Sequence, residues 1–244
     1  IDLILATSGT QQQPIPCNAS LIQEELGLQG TGVTAFDINS TCLSFLVGLD
    51  MISYPLEMGR FKNIVIVSSE IASIGLDFSN FENSSLFGDG AVAFIISQDK
   101  EKIGSKILAS KIETYSEGAH FTEVRGGGAF IHPREYEKRG EKDFTFSMDG
   151  KKVVRLSMKY GTKFVEELLK EANCTMDDID FVVPHQGSEL AMKLVGDKML
   201  WPKDENRIVK IIQDYGNTIS ACMPLSWHIL KESGRLKKEI RLWL

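Results

Sequence analysis

Cysteine is scarce and unpaired in this sequence. Its four thiols, Cys17, Cys42, Cys174 and Cys222, form no CxxC pair and have no histidine at zinc-finger spacing, which argues against a disulfide framework and a structural metal site. Basic charge is also short: 27 Lys and Arg against 33 Asp and Glu leave a formal net charge of -6, a field that repels a phosphate backbone. Nucleic acid is therefore not an expected partner. No apolar run approaches the roughly 18 residues of a membrane span, and Ile1 to Pro16 lacks the basic-then-apolar order of a secretion signal. A cytoplasmic protein with reduced thiols is the expectation.

What is present is a folded chain of 244 residues, 43% hydrophobic and 25% charged, enough for one large core or two modest ones. Short β-branched apolar runs alternate with helical patterns, so the class is α/β with parallel strands and crossover helices. Strands are expected at Ile1–Ala6, Val33–Ile38, Ile64–Ser68, Ala91–Ser97, Lys106–Tyr115, Ile179–Pro184 and Arg207–Ile212. Helices are expected at Asn18–Leu26, Cys42–Glu57, Gly150–Ala172, Ser188–Leu200 and Ser220–Glu232. The Cys42–Glu57 segment is apolar all round, through Leu43, Phe45, Leu46, Val47, Leu49, Met51 and Ile52, and so reads as a buried helix. From Glu117 to Phe146 the pattern dissolves into a surface excursion, in which Gly126, Gly127 and Gly128 read as a loop.

The chain repeats itself faintly. Ile1-Asp2-Leu3-Ile4-Leu5-Ala6 resembles Ile179-Asp180-Phe181-Val182-Val183-Pro184, and 35 positions separate Asp2 from Asp37 while 34 separate Asp180 from Asp214. A duplicated α/β unit is inferred, divided as residues 1–115, a connecting excursion 116–149, and residues 150–244. Two such halves face their strand-to-helix turns toward each other, where α/β sheets bind ligands. Cys42, His185 and Asn217 all lie on turns of that kind.

A thiol at the start of a buried helix is favoured as thiolate by the helix dipole and free N–H groups, and opposed by desolvation. The Asp37-Ile38-Asn39-Ser40-Thr41-Cys42 turn would also present the Cys42 N–H to a developing oxyanion. The same letters fit a core cysteine flanked by an Asn or Ser cap. His185, after Val182-Val183-Pro184, stands at a strand end; it suits either a cleft or a bond to a nearby carbonyl. Asn217 in Tyr215-Gly216-Asn217-Thr218 suits either a site or a helix cap. Phe87-Gly88-Asp89-Gly90 reads as architecture, with Gly88 and Gly90 permitting positive φ, and Phe78, Phe81 and Phe87 as core packing.

Asp37-Ile38-Asn39-Ser40-Thr41-Cys42-Leu43-Ser44-Phe45, Phe87-Gly88-Asp89-Gly90-Ala91, Met148-Asp149-Gly150, Pro184-His185-Gln186 and Tyr215-Gly216-Asn217-Thr218 together resemble the β-ketoacyl-acyl-carrier-protein synthase III family of the thiolase superfamily. The resemblance covers nearly the whole chain. It implies two similar α/β halves in a five-layered α-β-α-β-α sandwich. It also implies Cys42 as acyl acceptor, with His185 and Asn217 as hydrogen-bond donors in decarboxylative condensation. Acyl-coenzyme A and malonyl-acyl carrier protein would be the substrates, the carrier protein and a second copy of the chain the partners, and no metal or redox cofactor is implied.

The resemblance also implies segments before Ile1 and after Leu244, so a chain incomplete at both ends is expected. Leu190 stands where many members carry an arginine for phosphate; Lys193, Lys198 and Lys203 are the alternatives. Other readings remain open: an acyltransferase of specialised metabolism, a non-catalytic remnant or interaction subunit, and a cysteine hydrolase.

Overall fold

Two short apolar runs that begin Ile-Asp seed the two halves of the molecule. The computed structural model describes residues 1–99, 101, 104–199, 201–237 and 240–244. Its elements in chain order are β1 (Leu3–Ala6), α1 (Asn18–Glu25), β2 (Thr34–Asp37), α2 (Ser44–Glu57), β3 (Asn63–Glu70), α3 (Phe81–Ser84), β4 (Gly90–Ser97), β5 (Thr122–Glu123), α4 (Tyr136–Arg139) and β6 (Ser147–Met148). They continue with α5 (Gly150–Glu171), β7 (Phe181–Val182), α6 (Glu189–Lys198), α7 (Ile212–Tyr215), α8 (Cys222–Glu232) and β8 (Leu242–Trp243). Tight 3-10 turns at Thr41–Leu43 and Ile219–Ala221 lead into α2 and α8.

The main sheet has the order β2-β1-β3-β4, with β1 parallel to β2 and β3, and β4 antiparallel to β3. Side chains alternate across a strand, and the two central strands, β1 and β3, are dry on both faces. Leu3, Leu5, Ile64 and Ile66 pack with Phe45 and Ile52 of α2, whereas Ile4 and Ala6 pack with Ala19 and Ile22 of α1. Trp227 of α8 joins the first cluster and also the cluster of Val183, Val209, Ile211 and Leu230 beside the β7–β8 pair, so α8 lies between the sheets. On the far side α5 packs on α6, and Trp201, lodged against Gly196 and edge-on to Trp243, ties that layer to the second sheet. The layers thus run α1, main sheet, α2 with α8, second sheet, α5 with α6, the thiolase-like order the resemblance implies.

The halves repeat each other through hydrogen bonds as well as letters. Asp2 accepts from the N–H groups of Lys62 and Asn63, and Asp180 accepts from that of Arg241, with Asn63 and Arg241 each 61 positions beyond their partner. β1 pairs β3 with Leu3 opposite Ile64, and β7 pairs β8 with Phe181 opposite Leu242, the same pairs shifted by one constant interval. That interval matches Asn39 to Asn217, not Asp37 to Asp214. Asp37 accepts from the first N–H groups of α1, at Asn18 and Ala19, whereas Asp214 lies inside α7.

Several expected elements differ. Residues 106–115 form no strand, because no described strand lies beside them to complete a ladder. Arg207–Ile212 is not a strand either: a 3-10 turn and α7 take its ends, and Ile208 alone bridges Val182. α2 is preceded by a 3-10 turn that exposes Leu43, and is not itself buried all round, since Met51 and Tyr54 are exposed. β4 is covered on one face only; Phe94 and Ile96 pack inward while Ala91, Ala93 and Ile95 face out. The excursion carries the small β5–β6 pair and a buried Ile131. Among the described residues, no helix is long and apolar enough to cross a membrane.

Candidate active site

Two matching turns face each other at the ends of the strands. Asn39 Oδ1 accepts from the Thr41 N–H at 3.0 Å, and Asn217 Oδ1 accepts from the Ile219 N–H at 2.9 Å. Each turn then passes through a left-handed residue, Thr41 at φ 53° and Ile219 at φ 50°. A short polar side chain bonded two residues on makes this kind of turn. The turns pack against each other, and Gly9 fills the gap between them: a Cβ there would stand 2.9 Å from Ile219 Cγ2 and 3.5 Å from the Thr41 carbonyl carbon.

By this register Cys42 corresponds to Ser220. The Ser220 N–H donates to Glu70 Oε1 at 3.3 Å, so this turn holds a carboxylate oxygen at the position next after its left-handed residue. The Cys42 N–H donates to no backbone carbonyl among the described residues. One turn therefore shows, with a built-in anion, what the other can do for an incoming one.

Cys42 is half-buried. Burial, and then the negative charge of Glu70, push its thiol up to about 11. The expected thiolate bias from the helix start is thus outweighed, because desolvation penalises the anion more than the local N–H groups stabilise it. At neutral pH the sulfur rests as a thiol.

His185 follows the buried Val183 and Pro184 at the end of β7. Its residue surface is half-exposed, yet Nδ1 is enclosed and has no hydrogen-bond partner. Burial pulls the imidazole down to about 4, so the ring is neutral at pH 7. A neutral ring carries one proton, and the enclosed Nδ1 meets neither a donor nor an acceptor among the described residues. Gln186 anchors the segment: Nε2 donates to the Pro184 and Val209 carbonyls, Oε1 accepts from the Ile211 N–H, and its own N–H donates to Cys222 Sγ at 3.0 Å. Burial pushes the Cys222 thiol up to about 12, and Cys222 opens α8 directly after the Ile219–Ala221 turn that packs on the Thr41–Leu43 turn, so the two cysteines share one region.

Asn217 sits in a seat built by the other half. Its N–H donates to the Leu86 carbonyl at 2.7 Å, and its carbonyl accepts from the Gly88 N–H at 3.2 Å. Gly88 is needed for closeness, not for conformation: a Cβ would lie 2.0 Å from the Tyr215 carbonyl oxygen, and neither Gly88 nor Gly90 has positive φ. This corrects the turn-forming role expected of the Gly-Asp-Gly motif. Asp89 instead accepts from the N–H and hydroxyl of Ser73. The positioning part of Gly88 was missed because its motif gives no sign of which distant segment it meets.

The Cys42 and Asn217 turns are thus in contact, and His185 is joined to the same region through Gln186 and Cys222. Among the described residues no hydrogen bond links the three side chains, and neither His185 Nε2 nor Asn217 Nδ2 is engaged by a protein acceptor. Phe78 and Phe81 face outward, whereas Phe87 packs edge-on against Phe146. Leu190 is exposed on α6.

Known proteins resemble this chain along nearly its whole length. Two family models, 3-Oxoacyl-[acyl-carrier-protein (ACP)] synthase III and the C-terminal part of the same enzyme, match residues 36–116 and 169–244. Beta-ketoacyl-[acyl-carrier-protein] synthase III of Campylobacter curvus is 34% identical over 99% of this chain and 70% of its own length. The chain belongs to the 3-oxoacyl-ACP synthase III family. The synthase III of Aliarcobacter butzleri is 32% identical over 97% of the chain and 70% of its own length. Among solved structures, the synthase III of Aquifex aeolicus superposes with a TM-score of 0.84 at 25% identity, covering 99% of this chain and 71% of that one. This synthase III chain therefore spans about 70% of the length of those relatives. Cys42 falls in the first family match, His185 and Asn217 in the second.

Proposed function

We propose that this chain is a β-ketoacyl-ACP synthase III condensing enzyme of fatty acid biosynthesis, with Cys42 as nucleophile and His185 and Asn217 as donors to an enolate. The observation that carries the reading is the paired turns. One binds a carboxylate oxygen at Ser220 N–H, and its counterpart offers the Cys42 N–H beside a thiol.

The acyl group of acyl-coenzyme A transfers to the Cys42 sulfur, and the thiol proton leaves on coenzyme A. One thioester replaces another, so the exchange is close to thermoneutral. Malonyl-ACP then loses carbon dioxide, and the electron pair of the broken bond becomes an enolate. Its oxygen is stabilised by His185 Nε2–H and Asn217 Nδ2–H. A neutral imidazole suits this step, since it donates without already being charged. The enolate carbon attacks the acyl-Cys42 carbonyl, whose oxygen gains charge beside the Cys42 N–H, and collapse releases β-ketoacyl-ACP and the Cys42 thiolate, which takes one proton from solvent to become the thiol again. With carbon dioxide lost and one proton gained, no atom changes oxidation state through an outside reagent, so the chemistry calls for no redox partner.

We also place the enzyme in the cytoplasm, where coenzyme A thioesters and carrier protein are expected to meet, and as a homodimer. Exposed Phe36 on the edge strand β2, together with Leu43, Met51 and Tyr54, supports the latter.

The test is mass spectrometry after incubation with acetyl-coenzyme A, then malonyl-ACP. An acetyl group on the Cys42 peptide that disappears as β-ketoacyl-ACP forms is expected. An unmodified Cys42 overturns the reading.

A further inference from the structure

Glu70 ends β3 with only 2% of its surface exposed, and none of the proposed chemical steps uses it. Among the described residues no Lys, Arg or His pairs with it; hydrogen bonds alone hold its oxygens. Oε1 accepts from the N–H groups of Gly9 and Ser220 and from the Ser220 hydroxyl. Oε2 accepts from the Thr10 N–H at 2.8 Å and the Thr10 hydroxyl at 2.6 Å. Burying a carboxylate without a cation is costly, and such groups persist where donors are built around them.

Those donors come from two places that matter to the site. Gly9 and Thr10 belong to the loop leaving β1, whose Gly9 carbonyl accepts from Asn39 Nδ2 at 3.3 Å in the Cys42 turn. Ser220 belongs to the Asn217 turn, and its hydroxyl also lies 2.6 Å from the Thr7 carbonyl. Gly9 separates the two turns at closest approach.

We propose that Glu70 is a positioning residue whose carboxylate clamps the Asn217 turn to the Cys42 turn through the Thr7–Thr10 loop. The proposal deepens the condensing-enzyme reading and rests on it for the meaning of the clamp. Burial first, and then the charge of Glu70, push the Cys42 thiol up, and Cys42 in turn acts on Cys222 of α8. A residue that merely filled space would have no such electrostatic signature.

The experiment compares the chain with Glu70→Gln and Glu70→Asp, following iodoacetamide alkylation of Cys42 against pH by peptide mapping, and condensation by kcat and KM. Glu70→Gln should move the alkylation midpoint down and make alkylation at pH 8 severalfold faster. It should lower kcat about tenfold or more with little change in KM. Glu70→Asp, which keeps the charge but shortens the reach, should leave the midpoint in place and still lower kcat. A Glu70→Gln protein with the parent's alkylation profile and a kcat within twofold overturns the clamp. Ser220→Ala covers the case in which Glu70→Gln does not fold: it removes the hydroxyl between Glu70 and Thr7 and should cut kcat severalfold without moving the midpoint, and an unchanged kcat overturns the proposal. Alkylation needs no acyl donor, so its profile still judges the clamp if acyl transfer itself fails.

Discussion

Thr41 and Ile219 adopt the same left-handed backbone, φ 53° and 50°, at matching positions of the two halves. Both are β-branched, for which this region is strained by about 1–2 kcal/mol each. Each is held by an asparagine two residues earlier, through Asn39 and Asn217. The twist turns the next N–H, that of Cys42 or Ser220, away from the ordinary helix ladder. Strain of this kind is stored where a site needs a donor presented outward.

Replacing Thr41 with glycine should relieve that strain. After the entropic cost of glycine, urea denaturation should show a gain of about 1 kcal/mol. Acyl transfer to Cys42 should slow at the same time, because the turn is no longer confined to one geometry. A variant that gains stability and keeps the parent's acylation rate would show that the strain has no part in the chemistry.

His185→Ala and Asn217→Ala should each slow condensation by about a hundredfold to a thousandfold, the usual worth of one oxyanion donor. Acylation of Cys42 should survive in both. Acyl-enzyme should therefore accumulate, measured as intact mass in the presence of malonyl-ACP. Loss of acylation in either variant would reassign that residue to the first step.

Gly88→Ala places a Cβ 2.0 Å from the Tyr215 carbonyl oxygen, a backbone atom that cannot rotate away. Overpacking of this sort costs about 1–3 kcal/mol, and here it would also unseat Asn217. Gly75→Ala, where nothing stands within 4 Å, is the control and should stay within about 0.5 kcal/mol. Thermal unfolding and condensation rate should fall together in the first variant and in neither measure for the second.

The pH dependence of stability should show two limbs. His185 is pulled from 6.5 to about 4 on folding, so between those values the unfolded chain binds the extra proton and stability is lost as pH falls. Cys42 is pushed from 9.0 to about 11, so the unfolded chain ionises first and stability is lost as pH rises through that window. Cys222, pushed up to about 12, steepens the alkaline limb. Urea midpoints from pH 4 to 11 test both; His185→Gln should flatten the acid side alone.

Alternation of apolar runs with helical periods made the α/β class legible, because a strand covered on both faces must be apolar at consecutive positions. Leu3 to Ala6 are all fully buried for that reason. Periodicity could not show that residues 106–115 lack a ladder partner, or that Ala91, Ala93 and Ile95 face outward, because pairing and cover come from other parts of the chain. The faint repeat was visible in Asp2 and Asp180, but its register was set by hydrogen bonds to Asn63 and Arg241, which letters do not display.

Of the site, the letters alone singled out Cys42, His185 and Asn217, since each residue type carries chemistry and each follows a strand or turn. Local chain chemistry offers such candidates: propensity, periodicity and motif are short-range properties. Which segments meet is long-range. Gly88 seats Asn217, Glu70 reaches Ser220 and Gly9 fits between two turns only after folding brings distant backbone within 3 or 4 Å. The protonation of Cys42 belongs to the same class, because desolvation and the field of Glu70 are properties of the packed surroundings and not of the cysteine.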